Sequence, residues 1–254
     1  MKQIFENLRE YPKVRQVLPE NFRRFYNEHY RENRDGGSKA SGLAQKLERW
    51  MHRQVALDNG KDMRILEIGA GTLNHLQYEK NYYSYDIIEP YHTLYDDSPE
   101  KEKVGEFYND ISELDVAGCY DRILSIATFE HILDLPKVVA KAALLLHPEG
   151  KLKVAIPSEG SLLWYLGWRL TTGVEFYIKH KLNYATLMEN EHVNTWREIS
   201  MILSLFFQQV SYKSYGINRP LSFYQYYECS FANQDTAANL LQCLQDRSNP
   251  VIAD

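Results

Sequence analysis

The chain has 254 residues, of which 44% are hydrophobic and 25% are charged. These are ordinary values for a packed globular protein, so they exclude disordered, fibrous and disulfide-scaffold classes. The length suits one main domain, either enlarged or carrying a cap. The formal net charge of -5 argues against a broad electrostatic grip on nucleic acid, because such a grip needs a strongly basic surface.

Three scattered cysteines, Cys119, Cys229 and Cys243, match neither a disulfide framework nor closely spaced metal ligands. They favour reduced thiols in a cytoplasmic protein, and we expect no metal site. The first residues mix charges with apolar side chains, unlike a secretory signal. The most apolar stretch, Leu162 to Leu170, is far shorter than the ~20 residues that span a bilayer. We therefore expect contact with a membrane surface at most.

Residues 1–60 are predicted to form an N-terminal helical lid. Apolar side chains recur there at helical intervals on both sides of the Asp35-Gly36-Gly37-Ser38 break. They are Phe22, Phe25, Tyr26 and Tyr30 before it, and Leu43, Leu47, Trp50 and Leu57 after it.

Residues 61–160 alternate between predicted strands and helices, which indicates a mainly parallel sheet. A strand over Met63 to Ile68 leads through glycines into a helix that starts within Thr72 to Glu79. A second helix covers Leu135 to Leu146 and ends before Pro148-Glu149-Gly150. The remaining strands are predicted at Tyr82 to Ile87, Val104 to Tyr108, Tyr120 to Ala127 and Lys151 to Ile156.

Residues 161–195 are rich in aromatic and aliphatic side chains without a clear period, so we predict an inserted cap of short helices. Residues 196–254 are predicted to complete the core. A helix over Glu198 to Phe207 precedes two strands, Gln208 to Tyr215 and Phe223 to Phe231.

The turn after the first strand is the strongest functional signal. Glu67 stands near the strand end, and Gly69 and Gly71 follow it. Glycine permits backbone conformations closed to other residues and lets a ligand approach the main chain. Such turns at the carboxyl edge of a parallel sheet are where α/β domains place ligands, although tight turns of this kind also occur for structural reasons.

Two further acidic residues follow the next two predicted strands. Asp86 is placed to accept hydrogen bonds from ribose hydroxyls, and Asp110 to receive an adenine amine beside the backbone of Ile111. Each alone is also compatible with a cap or turn role. Acidic residues at three successive strand ends, Glu67 included, are less expected by chance than a single one. Together they indicate a nucleoside ligand.

A nicotinamide dinucleotide is the first competitor for this site, since it uses a similar sheet. Asn74 occupies the position of the third glycine in the dinucleotide pattern. Glu67 would also crowd a pyrophosphate with negative charge. Both features favour a ligand without phosphate.

The segments ILEIGAGT, YSYDII, EFYNDISEL, YDRILSIATFEHI and LLLHPEGKLKVAIP occur in this order between Met63 and Pro157. In them the chain resembles the class I S-adenosylmethionine-dependent methyltransferases, particularly those that act on small molecules and glycans. The resemblance implies a Rossmann-like, mainly parallel seven-stranded sheet, with S-adenosylmethionine as cofactor and S-adenosylhomocysteine as product.

The resemblance also implies which residues surround the cofactor. The methionine portion would lie beside Glu67 and the glycine turn, ribose beside the end of the second strand, and adenine beside the third. The implied residues are Glu67, Gly69, Ala70, Gly71, Thr72, Asp86, Ile87, Asp110, Ile111, Ala127, Thr128 and Phe129.

His131 and His192 are the candidate general bases, because a histidine pKa lies near neutrality; structural roles are the alternative for both. Four aromatic residues are candidates for the lid and the substrate surface, with core packing as the alternative. These are Tyr26, Tyr30, Trp164 and Trp168.

The preferred function is O-methylation of a small metabolite, a sugar or a lipid-linked glycan precursor. One alternative is a methyltransferase for RNA or protein, and the net negative charge argues against RNA. The other is a cofactor-binding protein without turnover.

Overall fold

The computed structural model describes residues 8–23, 42–57 and 60–248. Seven strands form one sheet: β1 (Met63–Ile68), β2 (Tyr82–Ile88), β3 (Phe107–Tyr108), β4 (Tyr120–Ile126), β5 (Leu146–Pro157), β6 (Phe207–Asn218) and β7 (Leu221–Ala232). The helices are α1 (Gly42–Val55), α2 (Leu135–Leu145), α3 (Leu162–Leu170), α4 (Thr172–His180), α5 (Tyr184–Glu191), α6 (Trp196–Phe206) and α7 (Gln234–Ser248).

The strand order across the sheet is β3-β2-β1-β4-β5-β7-β6. Strands β1 to β5 pair in parallel, whereas β7 is antiparallel to both β5 and β6. This arrangement confirms the predicted Rossmann-like, mainly parallel seven-stranded sheet. The order reverses between β1 and β4, and the crevice at such a reversal is where open α/β sheets bind ligands.

Apolar clusters cover both faces of the sheet, which explains why the central strands carry apolar residues without alternation. One cluster joins the sheet to α2, α6 and α7. The other lies under α1, where Met51 and Val55 contact side chains from β1, β2 and β4. Helix α1 thereby sits on the face next to the glycine turn.

Three predicted elements differ most from the structure. Strand β5 begins at Leu146 and includes Pro148-Glu149-Gly150, which was predicted to separate the helix from a strand over Lys151 to Ile156. Residues 69–81 contain only a 3-10 turn, Leu76–Tyr78, instead of the predicted α-helix. The backbone at Leu73 is left-handed, with φ 65, which interrupts helical continuation. The predicted strand over Val104 to Tyr108 shortens to Phe107–Tyr108, because residues Lys101–Lys103 form another 3-10 turn.

The segment after β5 contains α3, α4 and α5, and α3 packs against β7. Several large apolar side chains of α3 and α4 are exposed, among them Leu170 at 68% and Ile178 at 65%. Within the described ranges, no helix is long and apolar enough to cross a membrane.

Candidate active site

A cavity of about 340 Å³ opens at the carboxyl ends of β1 and β4. It is bounded by the glycine turn, the loop after β4, helix α1 and the segment after β5. Its walls are formed by Glu48, Met51, His52, Glu67, Gly69, Ala70, Asn74, Ile126, Ala127, Glu130, His131, Pro157, Trp164, His192 and Tyr224.

Gly69 and Ala70 of the glycine turn line this cavity, whereas Gly71 and Thr72 lie next to them outside its walls. Gly69 and Gly71 both have left-handed backbones, with φ 76 and φ 53. A Cβ on Gly69 would lie 2.3 Å from Oγ1 of Thr128, whereas a Cβ on Gly71 would meet no atom within 4 Å. Gly69 is therefore required for packing against the loop after β4, and Gly71 leaves open space for a ligand. Thr72, the next residue, accepts a hydrogen bond from Ser98 at its carbonyl oxygen.

Glu67 is almost fully buried, and its Oε2 accepts a hydrogen bond of 2.6 Å from the Tyr85 hydroxyl. Burial raises the pKa of Glu67 to about 8, against the opposing effect of the Tyr85 hydrogen bond; the charges of Glu79 and Glu89 add to the increase. A buried neutral carboxyl group beside the glycine turn is suited to meet a cationic ligand, which favours the ionised form.

The structure does not place Asp86 at the cavity, contrary to the sequence prediction. Its carboxylate is buried and accepts hydrogen bonds from the Tyr120 hydroxyl at 2.8 Å and the Glu106 amide at 3.1 Å. Ile87 is also fully buried, in the apolar cluster under α1. The reason is that β2 continues to Ile88, so both residues lie inside the sheet rather than at its edge.

Glu89 occupies the edge position instead. Its Oε2 accepts a hydrogen bond of 2.9 Å from the Gly71 amide, and its Oε1 accepts one of 3.0 Å from the Tyr91 amide. The carboxylate therefore lies against the glycine turn. The sequence pattern does not indicate Glu89, because it places the end of β2 at Ile87, one residue before the observed end at Ile88.

Asp110 caps the 3-10 turn Ile111–Glu113 after β3, where it accepts a hydrogen bond of 2.9 Å from the Ser112 amide. The Asp110 side chain is exposed, whereas Ile111 is buried in the cluster under α2. Thus Asp110 lies at the expected sheet edge, outside the walls of the cavity.

The three predicted contact residues in the loop after β4, Ala127 to Phe129, lie in different environments. Ala127 reaches the cavity and has a left-handed backbone with φ 50. Thr128 donates a hydrogen bond of 3.0 Å to the Ile126 carbonyl and packs against Gly69. Phe129 is fully buried in the cluster on the opposite face, so its side chain cannot line the cavity.

His131 and His192 meet edge to face at the cavity wall, with ring centroids 4.8 Å apart. Nδ1 of His131 is 2.9 Å from the Glu191 carbonyl oxygen, and Nδ1 of His192 is 2.8 Å from Oε2 of Glu159. Burial by itself lowers the pKa of His192, but the Glu159 hydrogen bond and neighbouring carboxylates raise it above its ordinary value.

Trp164 and Trp168 have different surroundings. Trp164 lines the cavity, stacks on His192 and donates from Nε1 to Glu159. Trp168, one turn further along the same face of α3, instead packs edge-on against Tyr165 and Tyr184 within the helical segment. Tyr26 and Tyr30 lie outside the described residues.

A buried chain of polar side chains reaches the cavity from the opposite wall, and no sequence pattern indicates it. The Nδ1 atoms of His52 and His75 are 3.0 Å apart, and Nε2 of His75 is 2.8 Å from Oε1 of Glu79. Arg122 pairs with Glu79. Burial lowers the pKa of His75; it has the opposite effect on Glu79, whose pKa is nevertheless lowered by His75 and Arg122.

These protonation states define the hydrogen-bond direction in the chain. An ionised Glu79 accepts from Nε2–H of neutral His75, which leaves Nδ1 of His75 to accept from Nδ1–H of His52. Nε2 of His52 lies 3.9 Å from Oε1 of Glu48, one turn earlier on α1, and the interaction with His52 lowers the pKa of Glu48. Both side chains line the cavity.

The reversed strand order, the antiparallel β7 and the open glycine turn at the sheet edge define an S-adenosylmethionine-dependent methyltransferase. A family model described as a methyltransferase domain matches residues 31–201, more than half of the chain. The chain belongs to that family. A comparison with curated proteins gives no match.

Solved methyltransferase structures share the fold. A Thermotoga maritima protein described as a possible histamine N-methyltransferase has a TM-score of 0.53 and 17% identity, covering 83% of this chain and 97% of its own. The N-methyltransferase NodS from Bradyrhizobium japonicum WM9, in complex with S-adenosylhomocysteine, has a TM-score of 0.54 and 13% identity over 77% of this chain and 89% of its own.

The carbon methyltransferase of CurJ is similar to the same degree, with a TM-score of 0.52 and 19% identity over 78% of this chain and 57% of its own. Because identities are this low, the likeness concerns the fold. These neighbours are described as methyltransferases for nitrogen or for carbon. The shared fold therefore does not define the acceptor atom.

Proposed function

We propose that this methyltransferase transfers the methyl group of S-adenosylmethionine to an oxygen of a small hydroxylated acceptor, within the class of metabolites, sugars and lipid-linked glycan precursors. The observation that carries the proposal is the composition of the cavity walls. Glycine-turn residues and two separate groups of histidines and carboxylates line the same space. A donor and a hydroxyl group to be deprotonated therefore have adjacent sites.

The described residues fit the donor. Gly71 opens to empty space, Glu67 offers a buried carboxyl group beside it, and Glu89 lies against the turn. We assign Glu67 and the turn to the methionine portion, Glu89 to ribose in place of Asp86, and Asp110 to adenine. When bound, S-adenosylmethionine supplies a methyl group already activated by its sulfonium, so catalysis requires mainly alignment of the acceptor.

We assign proton transfer to His52. Its ring is held at the cavity wall between His75 and Glu48, and the buried Arg122–Glu79 pair stabilises the orientation of both imidazoles. His131 and His192 then face the acceptor from the other wall and orient it. Trp164 offers an aromatic surface on that side, as sugar binding needs.

The exposed apolar side chains of α3 and α4 favour a lipid-linked acceptor within this class. Leu170, Val174, Tyr177 and Ile178 are between 47% and 68% exposed, and α3 also contributes Trp164 to the cavity wall. A lipid surface would cover these side chains. In this arrangement a headgroup enters the cavity while its chain stays in the membrane.

The test is methyl transfer from labelled S-adenosylmethionine to a panel of sugar nucleotides and lipid-linked sugars. Gly71→Asn places a side chain in the open donor space while keeping a left-handed backbone, which Asn tolerates. Gly118→Asn is the matched control, since Gly118 has φ 65 and its Cβ would lie 4.0 Å from the nearest atom, Leu146 O. We expect product with the wild type and Gly118→Asn and none with Gly71→Asn; a product methylated on nitrogen or carbon would contradict the proposal.

A further inference from the structure

Three side chains with metal-binding atoms converge at one wall of the cavity. Glu130, His131 and His192 each offer one ligand atom, and these atoms all lie within 4.8 Å of one another. Glu130 and His131 follow β4, whereas His192 follows α5, so the fold brings them together over a long separation in sequence. All three line the cavity.

Both imidazoles are held in the orientation that metal ligands need. Nδ1 of His131 faces a carbonyl oxygen, which only accepts, so this nitrogen carries the proton. Nδ1 of His192 faces the Glu159 carboxylate, which also receives the Trp164 indole N–H at 2.6 Å. Nε2 of each ring is therefore the atom left to bind a metal ion, and release of its proton on binding would expose the lone pair. Histidines that bind metals commonly donate the other ring N–H to a carboxylate or carbonyl in this way.

Glu130 is the acidic member of the group, and a bound cation would favour its ionised form. Its side chain is 1% exposed, and its Oε1 is 3.7 Å from Nε2 of His131. Among the described residues, Oε2 of Glu130 has no hydrogen-bond partner. A buried carboxylate oxygen without a partner is costly, and a cation bound at the same wall would remove that cost.

We propose that Glu130, His131 and His192 bind a divalent first-row transition metal ion, of the Zn²⁺ or Fe²⁺ type. Two imidazoles and one carboxylate are the protein ligands of catalytic zinc and non-haem iron sites, which keep positions open for other ligands. Mg²⁺ prefers oxygen ligands and is disfavoured here. The open positions face the cavity. If the proposed function holds, the ion orients the acceptor hydroxyl and lowers its pKa, and His52 takes the proton.

Metal binding is measured on the tag-free full chain after dialysis against a chelator, without donor or acceptor. Co²⁺ is titrated by visible absorption and Zn²⁺ by calorimetry, with Mg²⁺ as the contrasting ion. We expect one Co²⁺ per chain and no saturable Mg²⁺ binding. Glu130→Gln and His192→Gln abolish Co²⁺ binding at this site. Glu159→Gln weakens it about 10- to 100-fold, as loss of a carboxylate behind a ligating histidine does.

His147→Gln, which removes an exposed histidine outside the cavity, is the matched control and leaves Co²⁺ affinity unchanged. Thermal unfolding in chelator identifies any variant that fails to fold. If a ligand variant does not fold, the Co²⁺ affinity of Glu159→Gln still tests the proposal, because this variant keeps all three ligands. Absence of Co²⁺ binding, or an affinity indifferent to Glu130→Gln, His192→Gln and Glu159→Gln, would overturn the proposal. Because no donor is present, this outcome is separate from failure of methyl transfer.

Discussion

The Nδ1 atoms of His52 and His75 lie 3.0 Å apart, although His52 belongs to α1 and His75 to the turn after β1. Glu79 and Arg122 continue the chain into the interior. Helix α1 is thus joined to the glycine turn by a buried polar contact as well as by apolar packing. We propose that this contact both holds the helix over the cavity and prepares His52 as a base.

His52→Gln is expected to lower the rate of methyl transfer by about 10²- to 10⁴-fold, the range that a positioned general base contributes. Donor affinity should change little, because His52 acts on the acceptor. Single-turnover rates and calorimetric donor affinities separate the two effects. His147→Gln serves as control; a His52→Gln enzyme with the wild-type rate would refute the assignment.

Glu89→Gln is expected to affect donor binding, and Asp86→Asn the stability of the fold. Loss of a charged acceptor costs about 1.5–3 kcal/mol, so Glu89→Gln should weaken donor binding about 10- to 100-fold. Asp86→Asn replaces one of the two oxygens that accept from the Tyr120 hydroxyl and the Glu106 amide by an NH₂ group, so it should lower Tm and leave the affinity of the folded protein unchanged. Calorimetry and thermal unfolding measure both; the opposite assignment of effects would restore Asp86 as the ribose residue.

Glu67 predicts a pH dependence of stability. Its folded pKa is raised to about 8 from an ordinary value of 4.5, so the folded state keeps a proton that the unfolded chain releases. This contribution is fully present below pH 4.5 and is lost as the pH rises through 8. Since one pKa unit corresponds to about 1.4 kcal/mol, the loss is on the order of a few kcal/mol.

Urea unfolding at pH 5 and pH 8.5 tests this dependence. Glu67→Gln should unfold with a smaller difference between the two pH values than the wild type, because the amide does not titrate. Glu149→Gln, which changes an exposed carboxylate, should keep the wild-type difference. Equal pH differences in Glu67→Gln and wild type would show that Glu67 is ionised in the folded protein.

The exposed apolar surface of α3 and α4 predicts binding to lipid vesicles. The double variant Leu170→Asp/Ile178→Asp should lower co-sedimentation with anionic vesicles at least about tenfold, since each buried aliphatic side chain contributes roughly 1.5–3 kcal/mol. Val116→Asp changes an equally exposed residue (67%) outside these helices and should have no effect. Equal sedimentation of both variants would exclude this surface as a membrane contact.

The sheet could be predicted from the sequence because its strands are short apolar runs separated by turn residues. The bounds of β1 are as predicted, and those of β2 and β4 differ by one residue. The missing helix after β1 could not be predicted in this way, because the left-handed Leu73 is determined by tertiary packing; its side chain is fully buried.

The cavity could be predicted only where its residues are close in sequence. Glu67, Gly69 and Gly71 share one turn, and the turn indicated their role. The His52–His75 contact and the approach of His192 to Glu130 depend on how α1 and the segment after β5 pack on the sheet. No local sequence pattern carries that information. Because β2 ends one residue later than predicted, Glu89 and not Asp86 lies at the edge of the sheet beside the glycine turn.

Calorimetry of S-adenosylmethionine and S-adenosylhomocysteine with folded wild type, Gly71→Asn and Gly118→Asn tests the donor site most directly. We expect one site per chain in wild type and Gly118→Asn, and at least about tenfold weaker binding in Gly71→Asn, whose side chain would cost more than about 1.4 kcal/mol of binding energy. Equal affinities in all three proteins, or no binding of either compound by the wild type, would contradict it.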